Sequence, residues 1–194
     1  MSHLQGNNCP FPTISTNRLL LRPFTVRDID NVVNALSQPE TTRWLQHVPY
    51  PYTSSDSASW IAKHPQAWHL GLSLELAIEE KTTLQLAGSI GLFKLMQEKN
   101  YLGYWLAPQY WGKGYCHEAA LALAQWASSH LGLHTLRGRC IRENSRSART
   151  LQRIGMTLEK VEYHSRLING TLHDVMHYGL TLRCGGSGWH SSRS

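Results

Sequence analysis

The chain has 194 residues, 19 of them Lys or Arg against 13 Asp or Glu, for a formal charge of +6 with His neutral. That length fits one domain with short appendages, and with 41% hydrophobic but only 16% charged residues the chain is no disordered polyelectrolyte. A membrane span is excluded, because the most apolar stretch, Ala119 to Ala127, is broken by Gln125 and falls far short of the roughly 20 residues a bilayer requires.

Met1 to Pro12 carries no Lys or Arg ahead of an apolar block, so it does not read as a secretory signal, and a cytoplasmic location is the expectation. The fold is expected over residues 13–182, with residues 1–12 an N-terminal extension and 183–194 a flexible Gly/Ser-rich tail. Cys9, Cys116, Cys140 and Cys184 lie far apart without a CxxC pair, which reads as free thiols, with neither a disulfide framework nor a metal site.

In chain order, Arg18 to Arg22 is a short apolar run read as a strand. Thr25-Val26-Arg27-Asp28 then fits a capping box opening a helix to about Leu36. Between Trp44 and Trp68 the chain mixes Pro, Ser and three tryptophans, and Ser55 to Lys63 fits a second helix. Leu72–Ile78 and Leu84–Phe93 form a β-hairpin pattern around the polar stretch Glu79 to Thr83, and Tyr101–Leu106 is a further strand ending before Pro108. The Ala- and Leu-rich run Cys116–His130 has helical spacing, Thr135–Ile141 reads as a strand and Ser147–Ile154 as a helix. Last come the strands Thr157–His164 and Thr171–Leu182 around Asn169-Gly170, the dipeptide suited to a tight primed turn. The order βααβββαβαββ makes a mixed α/β domain.

One segment carries chemistry. Gln109-Tyr110-Trp111-Gly112-Lys113-Gly114-Tyr115 is a glycine-containing turn aimed at a helix N-terminus, where free N–H groups and the helix dipole, roughly half a positive charge, attract phosphate. Lys113 adds a full charge at the rim. Taken alone, the same residues fit an ordinary strand-to-helix turn. A Walker A loop requires GxxxxGK[ST], which is absent, and a dinucleotide fingerprint requires a third glycine where His117 stands.

The remaining pattern, Q-x-x-G-x-G, resembles the acetyl-CoA-binding motif of the GNAT superfamily of N-acetyltransferases. Thr16 to Phe24, Gly88-Ser89-Ile90-Gly91-Leu92, Gly103-Tyr104-Trp105-Leu106-Ala107-Pro108, and Asn169-Gly170 followed by His173-Asp174 look like its RimJ/RimL branch, whose namesakes acetylate ribosomal-protein N-termini. The resemblance runs from about Thr13 to Leu182. It implies a mixed, mostly antiparallel sheet of six to seven strands, splayed at the acetyl-CoA site, with about four helices and no metal.

Backbone groups of Leu106 and Ala107 are then implied to pair with the pantetheine arm, and Gly112 to Cys116 to cradle the pyrophosphate. Asn144, in the N-x-x-S segment, would hydrogen-bond the arm, and Ser147 would face the sulfur as the catalytic residue. The implied cofactor-binding set is Leu106, Ala107, Gln109, Trp111, Gly112, Lys113, Gly114, Tyr115, Cys116, Asn144 and Arg149. Ser147 read by itself fits a helix cap or surface position equally.

Relatives place a base glutamate where this chain has Tyr101 or Arg166, which leaves Tyr101, Glu159, Glu162, His164 and His173 as candidates. Arg137, Arg139, Arg142, Arg146, Arg149 and Arg153 accompany the single acid Glu143, making a positive edge that could hold the cofactor's phosphates, form a solvated helix face or meet a nucleic acid. No RNP motif or zinc-finger spacing points to specific nucleic-acid binding. Trp44, Trp60, Trp68, Tyr50 and Tyr52 fall in the segment covering the substrate side in relatives and fit a specificity pocket or core packing. Cys140 fits either a neighbour of the thioester or a small core hydrophobe.

The implied function is acetyl transfer from acetyl-CoA directly to an amine, foremost the α-amine of a protein or peptide. The alternatives are a small amine such as an antibiotic or polyamine, or non-catalytic acyl-CoA binding. Oligomeric state is left open, a homodimer being one option.

Overall fold

The computed structural model describes residues 10–45, 48–97 and 99–182. Cys9, Cys184, most of the N-terminal extension and the Gly/Ser-rich tail lie outside the described residues. The elements are β1 (Ile14–Ser15), β2 (Leu19–Arg22), α1 (Ile29–Leu36), α2 (Pro39–Thr42), α3 (Ser54–His69), β3 (Ser73–Glu80), β4 (Gln85–Phe93), β5 (Tyr101–Leu106), α4 (Tyr115–Leu131), β6 (Thr135–Ile141), α5 (Ser145–Arg153), β7 (Thr157–Ile168) and β8 (Thr171–Thr181). This is the expected mixed α/β order with two additions. The two-residue β1 makes the sheet eight-stranded, and the single turn α2 is a fifth helix. Both are too short for hydrophobic periodicity to reveal.

Local chemistry explains several boundaries. Ahead of α1, the Thr25 N–H donates to Asp28 Oδ2 at 2.7 Å, as a capping box requires. The Asp28 carboxylate is buried and also accepts both arms of Arg22, at 2.8 Å each, while Arg22 Nε reaches Glu79 at 2.7 Å. Burial works against that carboxylate, but Arg22 and Thr25 outweigh it and hold Asp28 below the usual range. Helix α3 runs six residues past the expected Lys63, through Pro65. Its buried stripe, Ser57, Ile61, His64 and Trp68, has helical spacing, but two of the four are polar and hid it from an apolar pattern. At the other end of the chain, Asn169 and Gly170 take φ of 47° and 78°, and Ile168 pairs with Thr171 across the two-residue turn.

The sheet order is β1-β2-β3-β4-β5-β6-β8-β7, antiparallel except between β5 and β6. Only Tyr101–Arg137 and Leu102–Gly138 pair across that parallel junction, so the strands part after Leu102. One side of α4, with Ala119, Ala120, Leu123, Ala124 and Ala127 buried, packs into the main core. Its small residues let the helix approach the sheet closely, which brings the N-terminus of α4 to the mouth of the splay.

Candidate active site

A cleft of about 890 Å³ opens where β5 and β6 part, walled by β5, the loop before α4, and the segment from Arg139 through α5. Of the residues singled out from sequence, Leu106, Trp111, Gly112, Gly114, Tyr115, Cys116, Asn144, Ser147 and Arg149 line it. Ala107, Gln109 and Lys113 do not.

Backbone alternation explains the first exception. The Ala107 N–H donates to Ala87 O at 2.9 Å, so Ala107 faces β4, and Tyr104 and Leu106 turn their backbone groups toward the splay. The Leu106 carbonyl already accepts the Trp111 indole N–H at 2.9 Å. Lys113, expected at the cleft rim, instead lies 3.9 Å from Glu80, with its ammonium over the rings of Tyr110 and Tyr115. Glu80 is buried and accepts hydrogen bonds from Tyr115 and Thr83, and its negative charge beneath the loop attracts the lysine.

Gly112 and Gly114 adopt φ of 77° and 79°, the left-handed region that only glycine enters without strain. A Cβ at Gly112 would meet nothing within 4 Å, so the space outside the turn is open. The first helical hydrogen bond runs from Glu118 N–H to Gly114 O at 3.1 Å, and the N–H groups ahead of it have no partner within the helix. Two residues not foreseen hold this turn. Arg18 donates to Lys113 O at 2.8 Å and to Glu118 Oε2 at 2.7 Å, and Glu118 also accepts from Thr16 at 2.6 Å. Arg18 and Glu118 are 100 residues apart, and no local pattern links them.

Across the cleft, Asn144 Oδ1 caps α5 by accepting the Ser147 N–H at 3.2 Å. Ser147 Oγ and the Tyr104 hydroxyl are 3.0 Å apart, and Tyr104 is a cleft residue that sequence reasoning passed over. Burial pushes the Tyr104 phenol well up, so it is a permanent donor at neutral pH. Cys140 is buried and its thiol is raised by burial to about 11; burial likewise pushes Cys116 up. Both are free thiols held in the protonated form.

The six arginines divide. Arg137 pairs with Glu159, and Arg142 with Asp174 at 3.2 Å. Arg139, Arg146, Arg149 and Arg153 line the cleft, and Arg146 stacks 4.1 Å over the Trp111 ring. A wall of cations beside N–H groups without helical partners and an open glycine turn fits a coenzyme carrying a diphosphate.

A smaller cavity of about 240 Å³ continues from the cleft, sharing Trp44, Leu102, Gly103, Arg139, Cys140 and Ile141 with it. Trp44 is the aromatic of the Trp44–Trp68 segment that reaches these walls. Trp60 packs against Phe24 and His64, Trp68 and Tyr52 are buried, and Tyr50 is exposed. Among the base candidates, Tyr101 lines the smaller cavity. His173 sits 3.3 Å from Glu143 and edge-on to Trp44. Glu159 is tied to Arg137, Glu162 to Lys160 and His177, and the His164 N–H donates to Asp174.

A family model described as an acetyltransferase (GNAT) domain matches residues 18–157. YoaA, an uncharacterised N-acetyltransferase of Bacillus subtilis, is 27% identical over 174 residues, spanning 88% of this chain and 97% of its own. An acetyltransferase of the GNAT family from Bacillus anthracis has a TM-score of 0.75 at 25% identity, over 88% of this chain and 98% of that one. RimL, a ribosomal L7/L12 alpha-N-protein acetyltransferase solved with coenzyme A, has the same fold, with a TM-score of 0.78 at 19% identity over 88% of this chain and 98% of its own. The family match spans most of the described fold, including the splay and the loop ahead of α4, and this chain belongs to the GNAT acetyltransferases.

Proposed function

We propose that the protein transfers the acetyl group of acetyl-CoA directly to the α-amine of a protein or peptide, with residues 13–182 as the transferase domain. The observation that carries this reading is the continuity of the two cavities. The larger holds the arginines and the Ser147–Tyr104 pair, and the smaller, aromatic one shares six lining residues with it.

Acetyl-CoA supplies the acyl group as a thioester. Around it, the N–H groups of the glycine turn, together with Arg146, Arg149 and Arg153, bind the diphosphate, and the gap-facing backbone of Tyr104 and Leu106 aligns the arm. The Tyr104 hydroxyl reaches both the Ser147 carbonyl, at 3.2 Å, and Ser147 Oγ, at 3.0 Å; when it donates to Oγ, the serine proton is free to point at the departing sulfur. The α5 cap fixes the serine's position through Asn144.

Among the described residues no carboxylate lines the smaller cavity. That suits an acceptor that arrives neutral. An α-amine with a pKa near 8 is about 10% neutral at pH 7, whereas a lysine near 10.4 is only about 0.04% neutral. The cations at Arg139 and Arg166 also repel polyamines. An acceptor screen with purified protein and acetyl-CoA, reading the acetyl mass increment on peptides and small amines, tests the assignment. Acetylation of peptide N-termini supports it, and transfer to polyamines or lysine side chains in preference overturns it.

A further inference from the structure

The smaller cavity says more about the acceptor, on the reading just given. Three cations reach its wall from three separate elements: Lys94 after β4, Arg139 on β6 and Arg166 on β7. Among the described residues none of the three is paired with a carboxylate. Their neighbours Arg137 and Arg142 are neutralised, by Glu159 and Asp174 respectively, so Arg139 between them keeps its charge for the cavity.

Two of the cations converge on one ring. Arg139 Cζ lies 4.4 Å from the Tyr101 ring centroid and Lys94 Nζ lies 5.5 Å from it. An aromatic face positions cations without neutralising them, so the positive charge stays available to a ligand. Lys94 is moreover held at φ 61°, a backbone region that residues with side chains rarely adopt and keep chiefly where the surroundings enforce it. Like charges gathered on one wall repel, and an anion entering between them relieves the repulsion while gaining charge-assisted hydrogen bonds. The remaining wall is apolar or aromatic, so the three cations are the groups there that would hold such an anion.

We propose that the acceptor is a peptide whose first residues are anionic, with a carboxylate or phosphate near the reacting α-amine docking among Lys94, Arg139 and Arg166. The protein's net positive charge steers such a peptide toward the cleft.

The test uses the full chain, acetyl-CoA and four peptides of equal length beginning with Ala and continuing with Glu-Glu, phosphoserine-Gln, Gln-Gln or Lys-Lys, and it follows thiol release. The Glu-Glu or phosphoserine peptide should exceed the Lys-Lys peptide in kcat/KM by about ten-fold or more, mainly through KM, with a gap that narrows as salt rises. Whichever anionic peptide leads names the source of the charge. Replacing Lys94→Gln and Arg166→Gln together should raise KM for the leading peptide and flatten the ranking. Equal kcat/KM across the four, a preference for Lys-Lys, or no transfer to any of them while coenzyme binds overturns the proposal. Calorimetry with CoA alone separates the two levels of failure, since absent coenzyme binding sinks the transferase reading itself.

Discussion

Ser147 Oγ stands 3.0 Å from the Tyr104 hydroxyl, so one hydrogen bond ties the first turn of α5 to β5 across the splay. Neither residue alone distinguishes a structural hydroxyl from a proton donor. On the proposed reading, the half-buried Tyr104 phenol, when it donates to Ser147 Oγ, directs the serine proton toward the cleft. Ser147→Ala should lower kcat about 10- to 100-fold while the Kd for CoA changes little. Tyr104→Phe should act in the same direction through the orientation of Ser147. Steady-state rates with calorimetric Kd values check this, and an undiminished kcat in Ser147→Ala removes the serine from the chemistry.

The glycine turn separates steric from conformational effects. Since open space surrounds Gly112, Gly112→Ala should cost about 1–2 kcal/mol of stability through its φ of 77° and retain coenzyme binding. Gly112→Glu should abolish binding, by occupying that space with a like charge to the diphosphate. Thermal unfolding and CoA titration of the two variants give the comparison.

On the opposite wall, Arg149→Ala should weaken CoA binding by about ten-fold and reduce its salt dependence, as loss of one charge-assisted phosphate contact predicts. Lys113→Ala should leave the Kd for CoA nearly unchanged, because its ammonium is engaged with Glu80. Titrations at two salt concentrations distinguish them.

His64 and Glu75 approach to 3.8 Å, yet they are not an ion pair. Burial lowers His64 to about 4 and raises Glu75 to about 7, so both are neutral between those values. The raised Glu75 contributes stability that is complete below its ordinary 4.5 and is lost as pH climbs toward 7. The lowered His64 contributes stability that is complete above its ordinary 6.5 and is lost as pH falls toward 4. Over the shared window these slopes oppose one another. Relative to the parent, Glu75→Gln should therefore gain stability as pH rises from 4.5 to 7, by up to roughly 3 kcal/mol, and His64→Phe should lose it as pH rises from 4 to 6.5. Denaturant unfolding across pH 4 to 7 reads both differences, and parallel curves would refute the neutral pair.

Among the described residues Glu40 and Glu143 line the larger cleft and no carboxylate lines the smaller cavity, so on the proposed reading the acceptor's own ionisation is expected to set the pH profile. For a peptide substrate kcat/KM should rise with pH up to about 8 and then level off. A plateau already reached near pH 6 would instead indicate a protein base.

Several features were legible in the chain because they are settled by residues a few positions apart. The Asn169-Gly170 turn needs two positive φ values in succession, the capping box at Thr25 needs an acid three residues on, and the loop at Gly112 and Gly114 needs residues free of a Cβ. Short-range sterics and hydrogen bonding enforce all three, so their sequence signal survives folding. The tertiary structure decided what depends on strands distant in the chain. It turned Lys113 to Glu80, engaged the Ala107 N–H with β4, bridged Arg18 to Glu118 and set Tyr104 against Ser147. It also divided one run of arginines into paired and unpaired sets. Charges and buried hydroxyls bond to whatever partner the sheet order brings within about 3 Å, and sheet order is fixed by burial of the whole core, which no short segment encodes.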